Sequence, residues 1–308
     1  MAPILAKTDP SARSDNFPPD RSVPVSVVVP VKNESANIRE CLAHLAWANE
    51  VFVVDSASTD GTCDIAISLG AKVFQFKWDG GYPKKKNWAI DNLPFSNGWI
   101  LIVDADEHIT PELAGEIANA VSSPGDRVGF YINRKFIFLG AWIRHCGYYP
   151  SWNLRLLKRG SGHYERLSDS GDTRSGDNEV HEHVICKGPT GSLKHDMLHY
   201  AFPSIDVFIE KHNRYSNWEA LVQHENLGGG LPRKLFGHEL ERRRFLKSLA
   251  SRLPFRPALR FLYSYIFRAG FLDGRRGLVF CRLLATYEFL CVAKLRELRW
   301  KQGGREGR

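Results

Sequence analysis

Residues 25–34 read Val25-Ser26-Val27-Val28-Val29-Pro30-Val31-Lys32-Asn33-Glu34, and residues 99–106 read Trp99-Ile100-Leu101-Ile102-Val103-Asp104-Ala105-Asp106. Both are short apolar runs rich in branched side chains, which predicts strands buried on both faces. Each run breaks off into polar residues. Between them the same rhythm repeats. Glu50 to Val54 is a predicted strand ending at Asp55, and Lys72 to Phe76 is another. Ile38, Leu42 and Leu45 fall at helical spacing, with Asn33 or Ser35 as cap. Thr62 to Leu69 is a helix closed by Gly70, Lys84 to Leu93 is helical, and Pro111 opens a further helix. Strand and helix alternate from Val25 to about Ser122, which predicts an α/β fold with a mainly parallel central sheet and helices on both faces. Ligands bind such sheets outside the carboxyl ends of the strands. The polar clusters at those ends are Lys32-Asn33-Glu34, Asp55-Ser56 and Asp104-Ala105-Asp106.

The rest of the chain is less regular. Arg127 to Lys158 reads as further strands, Ser161 to Asn178 as a polar, Gly-rich mobile loop, and Ser204 to Leu227 as helix. Gly228-Gly229-Gly230 before Pro232 is a predicted hinge, with helices beyond it at Pro257–Ala269 and Leu278–Leu298. The chain therefore divides into a leader (1–24), a main domain (25–227, with halves of about 25–125 and 126–227) and a basic, amphipathic helical extension (228–308).

Its 308 residues are 43% apolar and 25% charged, a globular rather than a disordered composition. The formal charge of +8 is unevenly spread. Residues 233–308 hold 19 Lys and Arg against 6 Asp and Glu, while residues 1–232 hold 23 against 28. A tail this basic implies an anionic partner, either nucleic acid or a lipid surface. The six cysteines form no Cys-x-x-Cys pair and are expected to be reduced thiols of a cytosolic protein. The leader has no long apolar segment, so it is not a secretory signal, and no stretch has the length and apolarity of a membrane-spanning helix.

Asp104 and Asp106, with Glu107 next, stand at the end of an apolar strand. Two carboxylates so placed can hold magnesium or manganese against a diphosphate, since these ions take oxygen ligands and share them with substrate phosphate. The plainer alternative is a solvated acidic turn that caps the helix at Pro111. Asp55 can accept hydrogen bonds from a base or a ribose, whereas Ser58 to Thr62 serve at least partly to cap the next helix.

Taken in order, Val28 to Glu34, Val54-Asp55-Ser56 with Ser58 to Thr62, Lys86-Asn87 with Ala89, and Asp104 to Glu107 resemble the motifs of family 2 glycosyltransferases. The resemblance implies a GT-A type nucleotide-binding fold and inverting transfer dependent on magnesium or manganese. It implies that Pro30, Glu34 and Asp55 line the nucleoside pocket, that Lys86 and Asn87 lie near the diphosphate or sugar, that Asp104 lies near the ribose or metal, and that Asp106 is the direct metal ligand. Relatives often carry Gln-Arg-Asn where this chain has Lys85-Lys86-Asn87, and a lysine lacks the arginine fork. Val180-His181-Glu182, the run from His199-Tyr200 to Tyr215, and Gly270 to Gly274 resemble transferases of lipopolysaccharide inner-core and exopolysaccharide assembly. The Gln-x-x-Arg-Trp motif of processive synthases is missing, so one sugar per encounter is expected.

Inverting transfer needs a base for the acceptor hydroxyl. Asp177, Glu179 and Glu182 are the candidates, and the resemblance favours Glu182. His181, His183, His195 and His199 show no familiar zinc spacing. The expected partners are a nucleotide sugar, UDP-linked by the family's habit, and a lipid-linked saccharide acceptor. The tail mixes Arg256, Arg260 and Arg268 with aromatic and aliphatic residues, so it either lies in an anionic membrane interface or packs as a helical subdomain. The expected location is the cytoplasm, peripherally at the inner face of the bacterial cytoplasmic membrane. Two rivals differ in class. A nucleotidyltransferase would show a Gly-rich phosphate loop after the first strand. A basic nucleic-acid-binding protein would leave the acidic strand ends unexplained, so no nucleic acid is expected.

Overall fold

A computed structural model of the chain describes residues 22–166, 183–225 and 255–306. The first strand, β1 (Val23–Val31), is buried on both sides as its sequence demands, and its alternation divides two cores. Val25, Val27, Val29 and Val31 enter one core with Ile38, Leu42, Leu45, Leu113 and Ile117. Val28 enters the other with Phe52, Phe74, Ala89 and Ile102. Successive side chains of a strand point to opposite faces, so a strand with no polar face requires cover on both. That cover comes from α1 (Ile38–Ala43), α2 (Thr62–Ser68) and α4 (Pro111–Ser122) on one side and α3 (Lys85–Asn92) on the other.

Among the described residues nine strands form the main sheet, in the order β3-β2-β1-β4-β8-β6-β11-β5, with β7 paired to β6. The half made of β3 (Lys72–Gln75), β2 (Ala48–Asp55), β1 and β4 (Trp99–Ile102) is parallel. Beyond β4 the recorded pairings are antiparallel: β8 (Trp152–Lys158) with β4 and with β6 (Gly129–Phe138), and β11 (Thr190–Phe202) with β5 (Glu107–His108). A small antiparallel ribbon pairs β9 (Gly162–Tyr164) with β10 (Val184–Cys186). The α/β fold expected from the sequence is the one formed, and the expected parallel pairing runs from β3 to β4.

Some local readings are corrected. Asn37, not Asn33 or Ser35, occupies the N-cap of α1. Asn33 instead takes a left-handed φ of 55° and accepts a bond from the Thr59 amide at 2.9 Å. The left-handed Gly61 precedes α2, and Asp60 accepts from the Thr62 amide at 3.1 Å. Thr110 caps α4 through the Leu113 amide at 3.2 Å, with Pro111 in the first turn as expected.

The chain forms two units, Met1–Phe136 with Pro150–Ala201, and Ile137–Tyr149 with Phe202–Arg308. The second unit contains β7 (Ala141–Trp142), α5 (Ile205–Glu225), α6 (Arg256–Leu262) and α7 (Gly274–Glu306). A π turn (Tyr263–Phe267) and a 3-10 turn (Gly270–Asp273) join α6 to α7, so the expected helix from Pro257 is shorter and the expected helix from Leu278 longer. Rings of Phe138, Phe208 and Phe280 form its core, with Phe138 and Phe280 centred 5.1 Å apart. The expected loop from Ser161 to Asn178 is corrected at its start, where β9 (Gly162–Tyr164) pairs with β10, and its remainder from Leu167, like the hinge at Gly228–Gly230, lies outside the described residues.

One buried acid ties the amino-terminal ends of the parallel strands together. Glu50, 6% exposed, accepts from Ser26 Oγ at 2.6 Å, from the Ser96 amide and hydroxyl at 2.8 Å each, and from Lys72 Nζ at 2.8 Å. Burial raises its pKa, but the bonds from Lys72, Ser26 and Ser96 outweigh burial and lower it from 4.5 to about 2. A depressed carboxyl pKa stabilises fully above the unfolded value and loses that contribution as pH falls through the folded one. We therefore expect Glu50→Gln to lower stability at pH 7 by ~1–3 kcal/mol, and the gap from wild type to shrink as pH falls from 4.5 toward 2. Urea unfolding at pH 7 and pH 3 measures both; a gap that does not change with pH would refute the linkage.

Candidate active site

The acidic residues after β4 are held by cations from other elements. Asp104 lies 2.9 Å from Lys86 Nζ on α3 and accepts from Arg155 on β8 at 2.7 Å. The same Arg155 nitrogen donates to Glu107 at 2.6 Å, and Arg134 on β6 reaches Glu107 at 3.4 Å. The turn is also closed on itself. The Asp104 amide donates to Glu107 Oε2, and the Glu107 amide to the Asp104 carbonyl, each at 2.9 Å. Glu107 is fully buried, and Lys86 and Arg155 are each 4% exposed. Burial opposes the charged state of Asp104, but Arg155 and Lys86 hold its carboxyl well below the usual carboxylate range. Burial likewise opposes the charge on Arg155 and on Lys86, and the facing acids keep both protonated.

Asp106 sits differently. Its side chain is 16% exposed, and His199 Nε2 lies 3.6 Å from it. The pairing of β5 with β11 makes this contact, since Glu107 is opposite His199 and the Tyr200 amide donates to the Asp106 carbonyl at 2.8 Å. Burial lowers the His199 pKa despite the neighbouring acid, which favours a neutral imidazole with a lone pair to offer. Among the described residues no three His, Cys, Asp or Glu side chains cluster as a metal cage.

The ends of β1 and β2 form a second polar surface. Pro30 is buried in register with Val54, and Val31 is opposite Asp55. Asp55 is fully buried, and its Oδ2 accepts from the Ser58 amide at 3.0 Å. The Ser58 hydroxyl donates to the other oxygen. Burial raises its pKa, but these bonds outweigh burial and the carboxyl stays ionised below its ordinary value. Ser58 Oγ in turn accepts from the Asn33 amide at 2.7 Å, and Thr62 Oγ1 from the Glu34 amide at 2.9 Å. The two strand ends are thus one bonded surface. Ser56 beside Asp55 has a buried hydroxyl with no hydrogen-bond partner among the described residues.

Helix α3 supplies the link between these surfaces. Lys85, 2% exposed, donates to the Val31 carbonyl at 2.7 Å. Lys86 reaches Asp104 and lies 5.5 Å from the centre of the Tyr164 ring. Asn87 is fully buried, exchanges two bonds with the Tyr164 backbone at 2.8 and 3.0 Å, and donates to the Tyr82 hydroxyl at 2.7 Å.

Residues 26–178 match the family model described as Glycosyl transferase family 2. The lipopolysaccharide core biosynthesis glycosyltransferase LpsC of Rhizobium meliloti (strain 1021) is 29% identical over 283 residues, 89% of this chain and 92% of its own. The chain carries a glycosyltransferase family 2 domain. An uncharacterized glycosyltransferase of Rickettsia bellii (strain RML369-C) is 28% identical over 278 residues, 89% of this chain and 86% of its own. Among solved structures, the mannosyltransferase PcManGT from Pyrobaculum calidifontis, in complex with GDP-Man and Mn2+, aligns with a TM-score of 0.48 at 16% identity, over 90% of this chain and 88% of that one.

In this glycosyltransferase, Lys86 and Asp104 meet directly, and Asp106 follows within the same turn. Asp55 and Glu34 are joined through Ser58, Asn33 and Thr62. Glu182, Asp177 and Glu179 lie outside the described residues. Sequence reasoning did not find Arg155 or Arg134, quoted Lys85 only within the Lys85-Lys86-Asn87 motif, and considered His199 for zinc and as the start of the run to Tyr215, without a tie to Asp106. Nothing local marks Arg155, whose partners stand 51 and 48 positions earlier in the chain.

Removing one member of a buried ion cluster leaves uncompensated charge, which costs about 3–5 kcal/mol. Arg155→Met is expected to destabilise the transferase by that order, and Arg155→Lys by less because it keeps the charge. Urea unfolding of the three proteins measures this; a loss below ~1 kcal/mol for Arg155→Met would mean that the two acids do not rely on Arg155.

Proposed function

We propose that this glycosyltransferase moves one hexose, with inversion, from a UDP-linked donor to a lipid-linked saccharide of lipopolysaccharide core or exopolysaccharide assembly. The observation that carries the reaction is the neutralised acidic turn after β4, which fixes Asp104 and Glu107 and leaves Asp106 beside His199. The acceptor class rests on the likeness to LpsC, which extends over most of both chains. A lipid-linked acceptor would bring the enzyme to the inner face of the cytoplasmic membrane.

The donor groups after β4 suit a divalent cation that draws most of its ligands from substrate. One carboxylate, Asp106, and one imidazole, His199, would hold magnesium or manganese while diphosphate oxygens complete the shell. A cation so held neutralises charge on the departing nucleoside diphosphate. Asp55 and the Ser56 hydroxyl, with Pro30 and Glu34 at the β1 end, would receive the nucleoside. Lys86 would face the diphosphate from α3, its ammonium oriented by Asp104. The amide of Asn87 is engaged with Tyr164 and Tyr82, so we assign it the positioning of α3 against β9 rather than a direct ligand contact.

The reaction forms a bond from an acceptor hydroxyl oxygen to the anomeric carbon and breaks the bond from that carbon to the diphosphate. The hydroxyl proton goes to a base on the acceptor side, for which we propose Glu182. Its neighbour His183 bonds Glu165 through both its amide and its ring, at 3.1 and 3.0 Å, and Val184 pairs with Tyr164. The segment after Glu182 is thereby tied to the strand whose tyrosine Lys86 faces.

The test of the reaction is a panel of nucleotide sugars screened for release of nucleoside diphosphate with magnesium, with manganese and with chelator. Asp106→Ala is expected to abolish release while unfolding like wild type. Near-normal turnover of that variant would remove Asp106 from the metal site.

The base is tested separately. General-base catalysis is typically worth about 10²–10⁴-fold, so Glu182→Gln is expected to lower transfer by that order with donor affinity unchanged. Asp177→Asn and Glu179→Gln are the controls. A control that loses activity while Glu182→Gln keeps it identifies a different carboxylate.

A further inference from the structure

The second unit carries an apolar stripe on its outside. Phe255, Leu259, Leu262, Tyr263 and Ile266 recur at the spacing by which a helix normally turns one face toward a core. All five are exposed, Phe255 at 82% and Ile266 at 54%, and Phe267 beside them reaches 80%. The stripe continues past the π turn to Leu272, 61% exposed. Scattered exposed apolar residues are ordinary, but a contiguous patch marks a binding surface.

The opposite side of the same element is what packs. Ser264 is fully buried, Phe261 stacks on Tyr265 with centres 5.2 Å apart, and Arg256 is ion-paired with Glu288 on α7. At Gly270 a side-chain carbon would come within 2.8 Å of Cys281 Sγ and 2.9 Å of Cys146 Sγ. The inner face is therefore pinned, and the stripe cannot roll inward without breaking these contacts.

The charge around the stripe selects its partner. Residues 255–277 contain five arginines and one acid, Asp273. That acid turns inward, accepting from the His145 ring at 2.8 Å and from its amide at 2.9 Å. Arg268, Arg275 and Arg276 are exposed. Outward, the element presents aromatic and aliphatic side chains bordered by cations. Among the described residues no helix is long and apolar enough to cross a membrane.

We propose that the stripe from Phe255 to Leu272 is a membrane-interface wedge that seats the second unit in the headgroup layer of an anionic bilayer, with Arg268, Arg275 and Arg276 meeting lipid phosphates. Apolar side chains enter the acyl boundary while the cations stay at the headgroups. The apolar wedge is this short element, and of the long basic helix α7 only the first turn, with Arg275 and Arg276, borders it. The assignment deepens the lipid-borne acceptor reading, yet its test needs neither donor nor acceptor, so the two can fail separately.

The full chain is sedimented with vesicles of phosphatidylethanolamine and phosphatidylglycerol, and with vesicles of phosphatidylcholine alone. Wild type is expected to bind the anionic vesicles and to bind the neutral ones more weakly. The pair Ile266→Asp with Phe267→Asp is expected to lower binding at least about tenfold, since each exposed side chain contributes more than a factor of a few on burial. Phe289→Asp, at an exposed position of α7, is expected to bind like wild type, and all variants should match wild type in thermal unfolding. If the aspartate pair unfolds early, Ile266→Ser with Phe267→Ser takes its place. Failure of wild type to bind anionic vesicles, or equal binding by the double variant, overturns the wedge. Equal binding to phosphatidylcholine overturns the anionic choice. Light scattering that shows a wild-type dimer, made monomeric by the double variant, with no vesicle binding, would make a second copy the occupant instead.

Discussion

Asp104, Glu107, Lys86 and Arg155 meet at the end of β4, all but Asp104 buried, and the rest of the site is arranged around their mutual neutralisation. Charges taken from water cost several kcal/mol each unless closely paired and hydrogen-bonded. Here the pairing is dense. One Arg155 nitrogen serves both acids, and the acids are bonded to each other's backbone. Such a cluster adds little net stability compared with apolar packing. What it does supply is a fixed geometry, because a shift of any member would leave another unpaired. Asp106 stands inside this fixed turn, partly exposed, between Asp104, which is bonded by Lys86 and Arg155, and the fully buried Glu107.

Sheet topology explains why the cluster forms there. The parallel strands β1, β2 and β4 all present their carboxyl ends at one edge, so Val31, Asp55 and Asp104 come together although they are far apart in the chain. Strand β8 runs opposite to β4 and brings Arg155 to that edge from within its own length. Asp104 and Asp106 therefore sit in the turn after β4, where an ion or a nucleotide could reach them, while Glu107 begins β5 and Arg155 and Arg134 sit on strands. Lys85 and Lys86 occupy the first turn of α3, where the chain passes between the β1 end and the β4 end.

This division also explains what could be read in the sequence. The valines of β1 could only be buried on both faces, so the strand, its partners and the polar ends were legible from local pattern. Asp55, Lys86, Asp104 and Asp106 were legible because they follow such strands or stand in ordered motifs. Arg155 was not, because within Trp152–Lys158 it is one more cation in a strand, and what makes it special is a register with β4 that no local spacing encodes. His199 was hidden for the same reason. Its tie to Asp106 depends on two residues of β5 pairing with a distant strand, so from spacing alone it was one histidine among several. The stripe at Phe255–Ile266 was legible only as two alternatives, a membrane interface or a packed subdomain. Helical periodicity predicts that a face is buried, but it cannot say against what, and here the apolar face is outside while a serine and a glycine make the packed side.

The charge balance at β4 bears on how a cation would come to the site. Lys86, Arg155 and Arg134 match Asp104, Asp106 and Glu107 in number, so the turn as a whole is formally neutral. A bare divalent ion would meet two partly exposed carboxylates, one of which, Asp104, is already bonded by Lys86 and Arg155, and one imidazole whose protonation burial opposes. Magnesium in particular gives up its water reluctantly for so small a donor set. A nucleoside diphosphate changes that balance by adding negative charge of its own, which both the ion and the Lys86 ammonium can neutralise. On the proposed reading, then, the residues after β4 suit a metal–diphosphate complex better than a free ion, and the buried cations act as the selection. They would keep Asp104 and Glu107 from gathering a metal by themselves, and so would reserve the site for an ion that arrives with the donor.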